Sequence, residues 1–382
     1  MEKEIATGLK VNKEGRLAGL DILRSLAMFM VVVLHYLDKG DLLVDLSTPD
    51  MGSLQHVAWI LETLCIVAVN VYMLISGFFM CKSNFKLSRL IGLWIQLECY
   101  SVGIGILPIL LGWMPEQTVN VYYLLGLVFP VSMGHYWFMT AYIYMYILFA
   151  FIGPALRNME KRQFQIAIGG LLVVLSLVKS LLPVHLEMDK QGYDCLWYLC
   201  VFLVGAYIRK YGIAFLQKRR NCIFLYLGGC GLIYGISLMV RGIYLQTGSL
   251  SYILTNCYNY NHILNLITAI GLFGLFAGLQ ARESLGRFFG RLAPYVLGVY
   301  LVHENQGIRY EWQKYFGSGQ VSNVVQLILT TIAAALVVFV VGVAIEWCRK
   351  KVIHVSHVVL QHISPYRKLY ELVLSADEKF KK

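Results

Sequence analysis

Charge is what this sequence has least of. Only 14% of its 382 residues are Asp, Glu, Lys or Arg, against roughly 25% in an ordinary soluble domain. The complement is an apolar excess: 58% of residues are hydrophobic and the mean hydropathy is +0.62. That excess does not describe a large soluble core, because it arrives in repeated runs of about 20 apolar residues, the length that spans a bilayer. Proline is scarce as well, with 8 in the chain. No matching pair of Gly/Pro-broken helices and no inverted repeat is visible, which argues against a solute transporter. No period of 20–50 residues recurs, and no long linker sets off a soluble domain. The nine cysteines include no C-x-x-C pair and fall mostly inside apolar segments, so they read as small buried hydrophobes and not as a metal or disulfide framework. Cys195 and Cys257, both near outer helix ends, are the one pair placed for a disulfide. A cleavable signal peptide is not expected, since the first 17 residues are too charged and the apolar run after them is too long.

What is present is a set of spans. Apolar runs place ten of them at about 18–37, 55–80, 90–112, 135–156, 164–183, 195–208, 221–242, 259–281, 292–313 and 322–347. The shorter stretch 119–133 reads as re-entrant or interfacial. Lys3, Lys10, Lys13 and Arg16 precede the first span and put the N-terminus in the cytoplasm. Every second loop is then basic: Lys82/Lys86/Arg89, Arg157/Lys161/Arg162, Arg209/Lys210/Lys218/Arg219/Arg220, Arg282/Arg287/Arg291 and Arg349/Lys350/Lys351. The alternate loops, such as "DKGDLLVDLSTPD" (38–50) and "HLEMDKQGYD" (185–194), are acidic or nearly neutral. The net charge of +11 is therefore a matter of membrane topology and not of nucleic-acid binding. The expected fold is an all-α polytopic membrane bundle of about ten helices over residues 1–350, with both termini cytoplasmic. Residues 351–382 are expected to form a cytoplasmic amphipathic tail on the membrane surface. The three histidines of that tail do not have the spacing of a standard metal site, and no metal is expected.

Within the first span lie Asp21, Arg24 and His35, and ionisable groups inside a membrane segment are functional candidates by default. Arg24 and His35 are eleven positions apart. On a helix that is three turns plus about 20°, so both point to one side, roughly 16 Å apart along the axis. Arg24 is nearer the cytoplasm, His35 nearer the outer face, and Asp21 sits one turn before Arg24, where it can orient it. Glu98 in "WIQLECYS" and Glu62 sit deep in spans three and two, where each needs a partner or a proton.

The stretch "RLAGLDILRSLAMFMVVVLH" resembles the opening helix of membrane-bound acyltransferase family 3, with its Arg and His separated by ten residues. "VNVYMLISGFFM" (69–80), with Ser76, Gly77 and Phe78, is similar to that family's second-helix motif. "HYWFMTAYIYMYILFAFIGP" (135–154), with Trp137 and Phe138, resembles its Trp-Phe segment, and "WYLCVFLVGAYIRKYG" (197–212) its Phe-x-x-Gly helix. "LAPYVLGVYLVHE" (292–304), with Tyr300 and His303, resembles its late Tyr-Leu-x-His motif. One departure stands in "KLSRLIGLW": Lys86 and Arg89 take the place of a tight Arg-x-x-Arg, and no Pro follows.

The resemblance implies transfer of an acyl group, usually acetyl, from a cytoplasmic coenzyme A thioester to a hydroxyl of a cell-envelope polysaccharide or its lipid-linked precursor, in the plasma membrane of a bacterial cell. Acetyl-CoA is then a co-substrate, and no metal is implied. Its anionic phosphates suit Arg24, with Asp21 behind it, and Lys86 and Arg89. Ser76, beside Gly77, either lets the donor approach closely or serves helix packing. His35 is the expected general base, since histidine can take a proton near neutral pH. His303 either orients the acceptor or His35, or is a packed core residue, and Glu98 is a candidate to pair with Arg24 or to hold a proton. Trp137 and Tyr300 are candidate acceptor contacts, as is "NYNH" (259–262). The alternative function is a membrane transporter or exporter of a small solute or glycan.

Overall fold

The structure, a computed structural model, describes residues 17–112, 119–182, 184, 186, 187 and 189–380. The basic N-terminal residues Lys3, Lys10, Lys13 and Arg16 lie outside the described residues. Sixteen α-helices follow one another, and no strand occurs among the described residues. They are α1 (Ala18–Lys39), α2 (Ser53–Cys65), α3 (Ala68–Met80), α4 (Leu87–Leu110), α5 (Val121–Val128), α6 (Trp137–Asn158), α7 (Lys161–Leu172) and α8 (Val178–Leu181). Then come α9 (Cys195–Tyr211), α10 (Arg219–Ile223), α11 (Gly229–Thr247), α12 (Ile263–Ala277), α13 (Glu283–Leu292), α14 (Val296–His303), α15 (Val324–Leu360) and α16 (Ser364–Lys379). Five-residue π-helical turns join α7 to α8 and α10 to α11, so each pair is one continuous rod with a local bulge.

Helix starts are marked where polar side chains meet the first free N–H groups. Asp194 accepts from the amides of Leu196 and Trp197 to open α9, and Asn120 accepts from Tyr123 to open α5. Glu160 and Gln163 form a reciprocal capping box at α7.

Eight helical runs among the described residues are long and apolar enough to cross a bilayer. The chain is thus an all-α polytopic membrane protein, with eight such runs where ten were expected. The two that fall short have local causes. The run at 195–208 becomes α9, 17 residues long, a little under the ~20 a perpendicular span needs. The run at 292–313 yields only the eight-residue α14. There the polar sequence Glu304-Asn305-Gln306 ends the helix, and the Asn305 carboxamide accepts from the Gly307 amide at 2.9 Å to set up a turn.

The chain forms two compact units. The first contains the described residues up to Cys81, Met159–Pro294 and Gln313–Leu336. Its centre is α1, of whose 22 residues 14 are buried. Close backbone approach holds it together. A Cβ on Gly77 of α3 would lie 1.9 Å from the Phe202 carbonyl oxygen of α9, and one on Gly205 of α9 would lie 2.3 Å from that of Leu74. Gly19 of α1 meets the Phe276 carbonyl of α12 at 2.0 Å on the same test. Small residues at crossings are how helices gain contact where lipid offers no hydrophobic drive.

Between α8 and α9 the loop is pinned by a buried ion pair, Lys179 with Asp189. Asn261 adds a bond from Nδ2 to Asp189 Oδ1 at 2.7 Å, and the Gln191 amide adds another at 2.8 Å. Within "NYNH", Asn261 thus ties a loop. Cys195 and Cys257 are both free thiols, and Cys257 packs against His262.

The second unit contains Lys82–Asn158, Tyr295–Trp312 and the residues from Val337 onward. Its polar keystone is Glu346 of α15, fully buried. It accepts from Gln96 Nε2 at 3.2 Å, from the Tyr100 hydroxyl at 2.8 Å, and from Arg349 Nε and Nη2, both at 2.7 Å. Gly298 of α14 leaves room for it, since a Cβ there would lie 2.4 Å from Glu346 Cβ. α15 runs unbroken from the last apolar run as far as Leu360, and only α16 turns back. Asp377 of α16 accepts from the Ser88 amide and hydroxyl at the start of α4, and Phe380 packs on Phe85.

The Lys179–Asp189 pair generates a pH prediction. Burial pushes the Asp189 carboxyl up, but the bonds from Lys179, Asn261 and Gln191 and the Lys179 charge outweigh it and hold the group below its ordinary value. A carboxyl depressed in the folded state contributes stability above the unfolded value of ~4 and loses it as pH falls through the folded one. Asp189→Asn strands a buried ammonium and should cost about 3–5 kcal/mol at neutral pH. Thermal melting of the nanodisc-embedded protein checks it: equal midpoints for wild type and variant at pH 7 contradict the assignment.

Candidate active site

In the first unit the site is built on α1. The helix is unbroken from Ala18 to Lys39, so Arg24 and His35 stand on one side of it, roughly 16 Å apart along the axis and about 20° apart around it. Asp21, in the first turn, accepts from Arg24 Nη1 at 3.2 Å. The Arg24 side chain remains 29% exposed while that of Asp21 is 12% exposed. The carboxylate thus orients the guanidinium from behind without burying it. Two further bonds fix this turn: the Ser25 hydroxyl donates to the Asp21 carbonyl at 3.2 Å, and the Tyr72 hydroxyl of α3 donates to the Arg24 carbonyl at 2.7 Å.

His35 is half-buried. Its backbone carbonyl accepts from Gln313 Nε2 at 3.3 Å, and the Tyr36 hydroxyl donates to the Phe316 carbonyl at 3.2 Å. The segment after Trp312 therefore clamps the end of α1 that carries His35. Ser76 donates its hydroxyl to the Tyr72 carbonyl one turn back, at 2.9 Å. Its neighbour Gly77 sits at the α3–α9 contact described above. Glu62 of α2 is buried, and its Oε2 has no hydrogen-bond partner among the described residues.

In the second unit the expected residues gather around two helix starts. Lys86 precedes α4, and its backbone amide and carbonyl both bond the Tyr146 hydroxyl at 3.1 Å. One turn on, Arg89 donates from Nη2 to the Tyr142 hydroxyl at 3.0 Å and lays its guanidinium over the Tyr146 ring at 5.2 Å. The tyrosine face of α6 thus holds the Lys86 backbone and the Arg89 guanidinium. Glu98, further along α4, is partly exposed, and its Oε1 has no partner among the described residues. Trp137 opens α6 with its ring edge-on to Phe138.

Tyr300 and His303 come together on α14. Tyr300 is buried between the rings of Tyr136 and Phe138, and its own ring meets that of His303 edge to face at 6.1 Å. His303 is buried, donates from Nδ1 to the Val299 carbonyl at 2.6 Å, and stands edge-on to Trp312. That bond places a proton on Nδ1.

Behind α14 lies a polar cluster that the sequence reading did not single out. His135 accepts from the Gln306 amide through Nε2 at 2.8 Å. Its proton is therefore on Nδ1, which faces the Ser101 hydroxyl at 3.1 Å and the Gly126 carbonyl at 3.2 Å. Asn305, fully buried, donates to the Tyr100 carbonyl and to the Tyr136 hydroxyl, both at 3.0 Å. The Tyr136 hydroxyl donates in turn to the Leu301 carbonyl. The group fixes the backbone that follows His303. The one sequence signal was the polar run Glu304-Asn305-Gln306 directly after an apolar helix.

The family model described as an acyltransferase domain, that of acyltransferase family 3, matches residues 17–347. The chain belongs to this family of membrane acyltransferases. No curated protein and no solved structure matches it.

The cluster behind α14 can be tested. Asn305→Ala leaves the Gly307 amide, the Tyr100 carbonyl and the Tyr136 hydroxyl short of their bonds inside the unit. The expected loss is about 1–3 kcal/mol, seen as a lower melting midpoint. Tyr315→Ala, at an exposed position, should stay within about 0.5 kcal/mol of wild type. An Asn305→Ala midpoint equal to wild type would show that the cluster is dispensable.

Proposed function

We propose that this chain transfers an acyl group, acetyl in the first instance, from cytoplasmic acyl-CoA to a hydroxyl of a cell-envelope polysaccharide or its lipid-linked precursor, in the plasma membrane of a bacterial cell. The observation that carries the reading is the arrangement on α1: a carboxylate-oriented Arg24 and, three turns on, His35 on the same side.

Arg24 takes a phosphate of the donor through its planar fork, which Asp21 holds in orientation. Lys86 and Arg89 are assigned the same anionic chemistry, and Ser76 the donor's approach. The pantetheine arm lies along α1 and brings the thioester toward His35. His35 accepts the proton of the acceptor hydroxyl as the oxygen attacks the thioester carbonyl. The C–S bond then breaks, the coenzyme A sulfur leaves as thiolate and takes the proton from the imidazolium, and the acceptor carries the new ester. His303 and Glu98 are assigned to support of proton movement, and Trp137 and Tyr300 to the acceptor.

The test is the O-acetyl content of envelope glycans, by NMR, in cells deleted for the gene and complemented at equal expression. Wild type should restore the ester signal, and His35→Ala should leave less than about 1% of the wild-type rate, the contribution expected of a general base. Restoration by His35→Ala removes His35 as the base, and a deletion that changes no ester removes the glycan as acceptor. Arg24→Lys should raise the KM for acetyl-CoA about tenfold with little change in kcat, because the ammonium keeps the charge but loses the fork. An unchanged KM would place donor binding elsewhere.

A further inference from the structure

The end of α1 that carries His35 opens onto a cleft to which no role has been given. Its volume is about 800 Å³, within the range typical of small-molecule sites, ~300–1,000 Å³. It lies wholly in the first unit. One wall is the end of α1, where Gly40 and Asp41 line it; a second is the start of α2; the third is the segment around Ser318. That third wall is the one tied to α1 by the Gln313–His35 and Tyr36–Phe316 bonds. Gly40 follows His35 by five residues, ~7.5 Å of helix rise. The cleft is therefore fixed at the His35 end of the helix.

We propose that this cleft binds a saccharide unit. Its polar lining mixes hydroxyls (Ser53, Ser318, Ser322), a carboxamide (Gln55), one carboxylate (Asp41) and one ammonium (Lys314). Donors and acceptors are both present and the charges of Asp41 and Lys314 cancel, which suits a polyol and does not select a polyanion such as the coenzyme A moiety. Gly52 leaves α2 without a side-chain cap. The first-turn amides of α2 thus have no side-chain cap beside the cleft. Short apolar side chains share the lining and match the C–H faces of a sugar ring.

The backbone supports the reading. Asp41 is held with φ at +57°, a left-handed conformation that Asp tolerates but that costs free energy, of the kind that collects at binding sites. Gly319 lines the cleft and has open space around it: a Cβ there meets nothing within 4 Å. That the bound saccharide is the acyl acceptor rests on the proposed function; that the cleft holds a saccharide does not.

The test uses the full chain in nanodiscs. The probe is a tritium-labelled oligosaccharide fragment of the envelope polysaccharide, from gene-deleted cells and freed of esters by mild alkali. Wild type should bind it. Gly319→Trp fills the cleft without a backbone clash and should raise the dissociation constant at least about tenfold. Tyr315→Ala, exposed and not part of the cleft lining, should bind as wild type. If Gly319→Trp melts early, the Asp41→Asn/Gln55→Ala double variant takes its place, with the same expected weakening. The proposal is overturned if wild type does not bind the fragment, or if the cleft-filling and double variants bind it unchanged. Transfer is measured separately: saccharide binding that persists while His35→Ala still restores the ester leaves the cleft standing and removes the catalytic reading.

Discussion

A polar group buried in hydrocarbon has no water to bond, and nearly every feature of this protein follows from that constraint. It makes the backbone helical, since only helices satisfy their own amides and carbonyls within a span. It then acts on the side chains. Arg24 is oriented by Asp21, Glu346 by four donors, Asp189 by an ammonium and two amide groups, and Asn305 by carbonyls and a hydroxyl. Some of these partners lie along one helix, as Asp21 and Arg24 do, and others lie across helices, as Tyr100 and Glu346 do. The groups that escape this rule are informative for the same reason: Glu62 and Glu98 each keep a carboxylate oxygen with no partner among the described residues.

The second determinant is how closely helices approach. Glycines 19, 77 and 205 replace side-chain contact with backbone contact, and each sits in or beside a motif of the family resemblance. Part of what looks like a catalytic signature is therefore architecture. The Ser-Gly-Phe of α3 is a crossing point with α9, and the Phe-x-x-Gly of α9 is the other half of that crossing. The Arg and His of α1 are different. Arg24 stays partly exposed within a helix that is otherwise mostly buried.

Local features were legible in the sequence, and distant ones were not. The bounds of α1, its polar side, and the Asp21–Arg24 pair at a spacing of three could be read because helical geometry alone fixes them. The membrane class followed from hydropathy. The α14 region falls short of a full span because the apolar run from Val296 meets the polar, helix-ending run at Glu304 after eight residues. The His135 and Glu346 clusters were invisible because their partners are far apart in the chain: His135 meets Gln306 across 171 positions, and Tyr100 meets Glu346 across 246. Hydropathy treats such polar residues as blemishes in a span, whereas packing makes them its anchors. Lys86 and Arg89 were found by their charge, but the tyrosine face of α6 that holds them needed the fold.

The Tyr100–Glu346 bond also says something about how the protein is made. Chains are synthesised at about 5–20 residues per second, and domains generally fold as units. Tyr100 and Gln96 enter the membrane early, yet their carboxylate partner is added 246 residues after Tyr100, roughly 12–50 seconds later at that pace. Throughout that interval α4 carries two polar side chains whose permanent partner does not exist. Assembly of the second unit is therefore necessarily a late event of biogenesis, and the nascent α4 requires a temporary polar host, whether water at the insertion machinery or another helix, until the final apolar segment arrives.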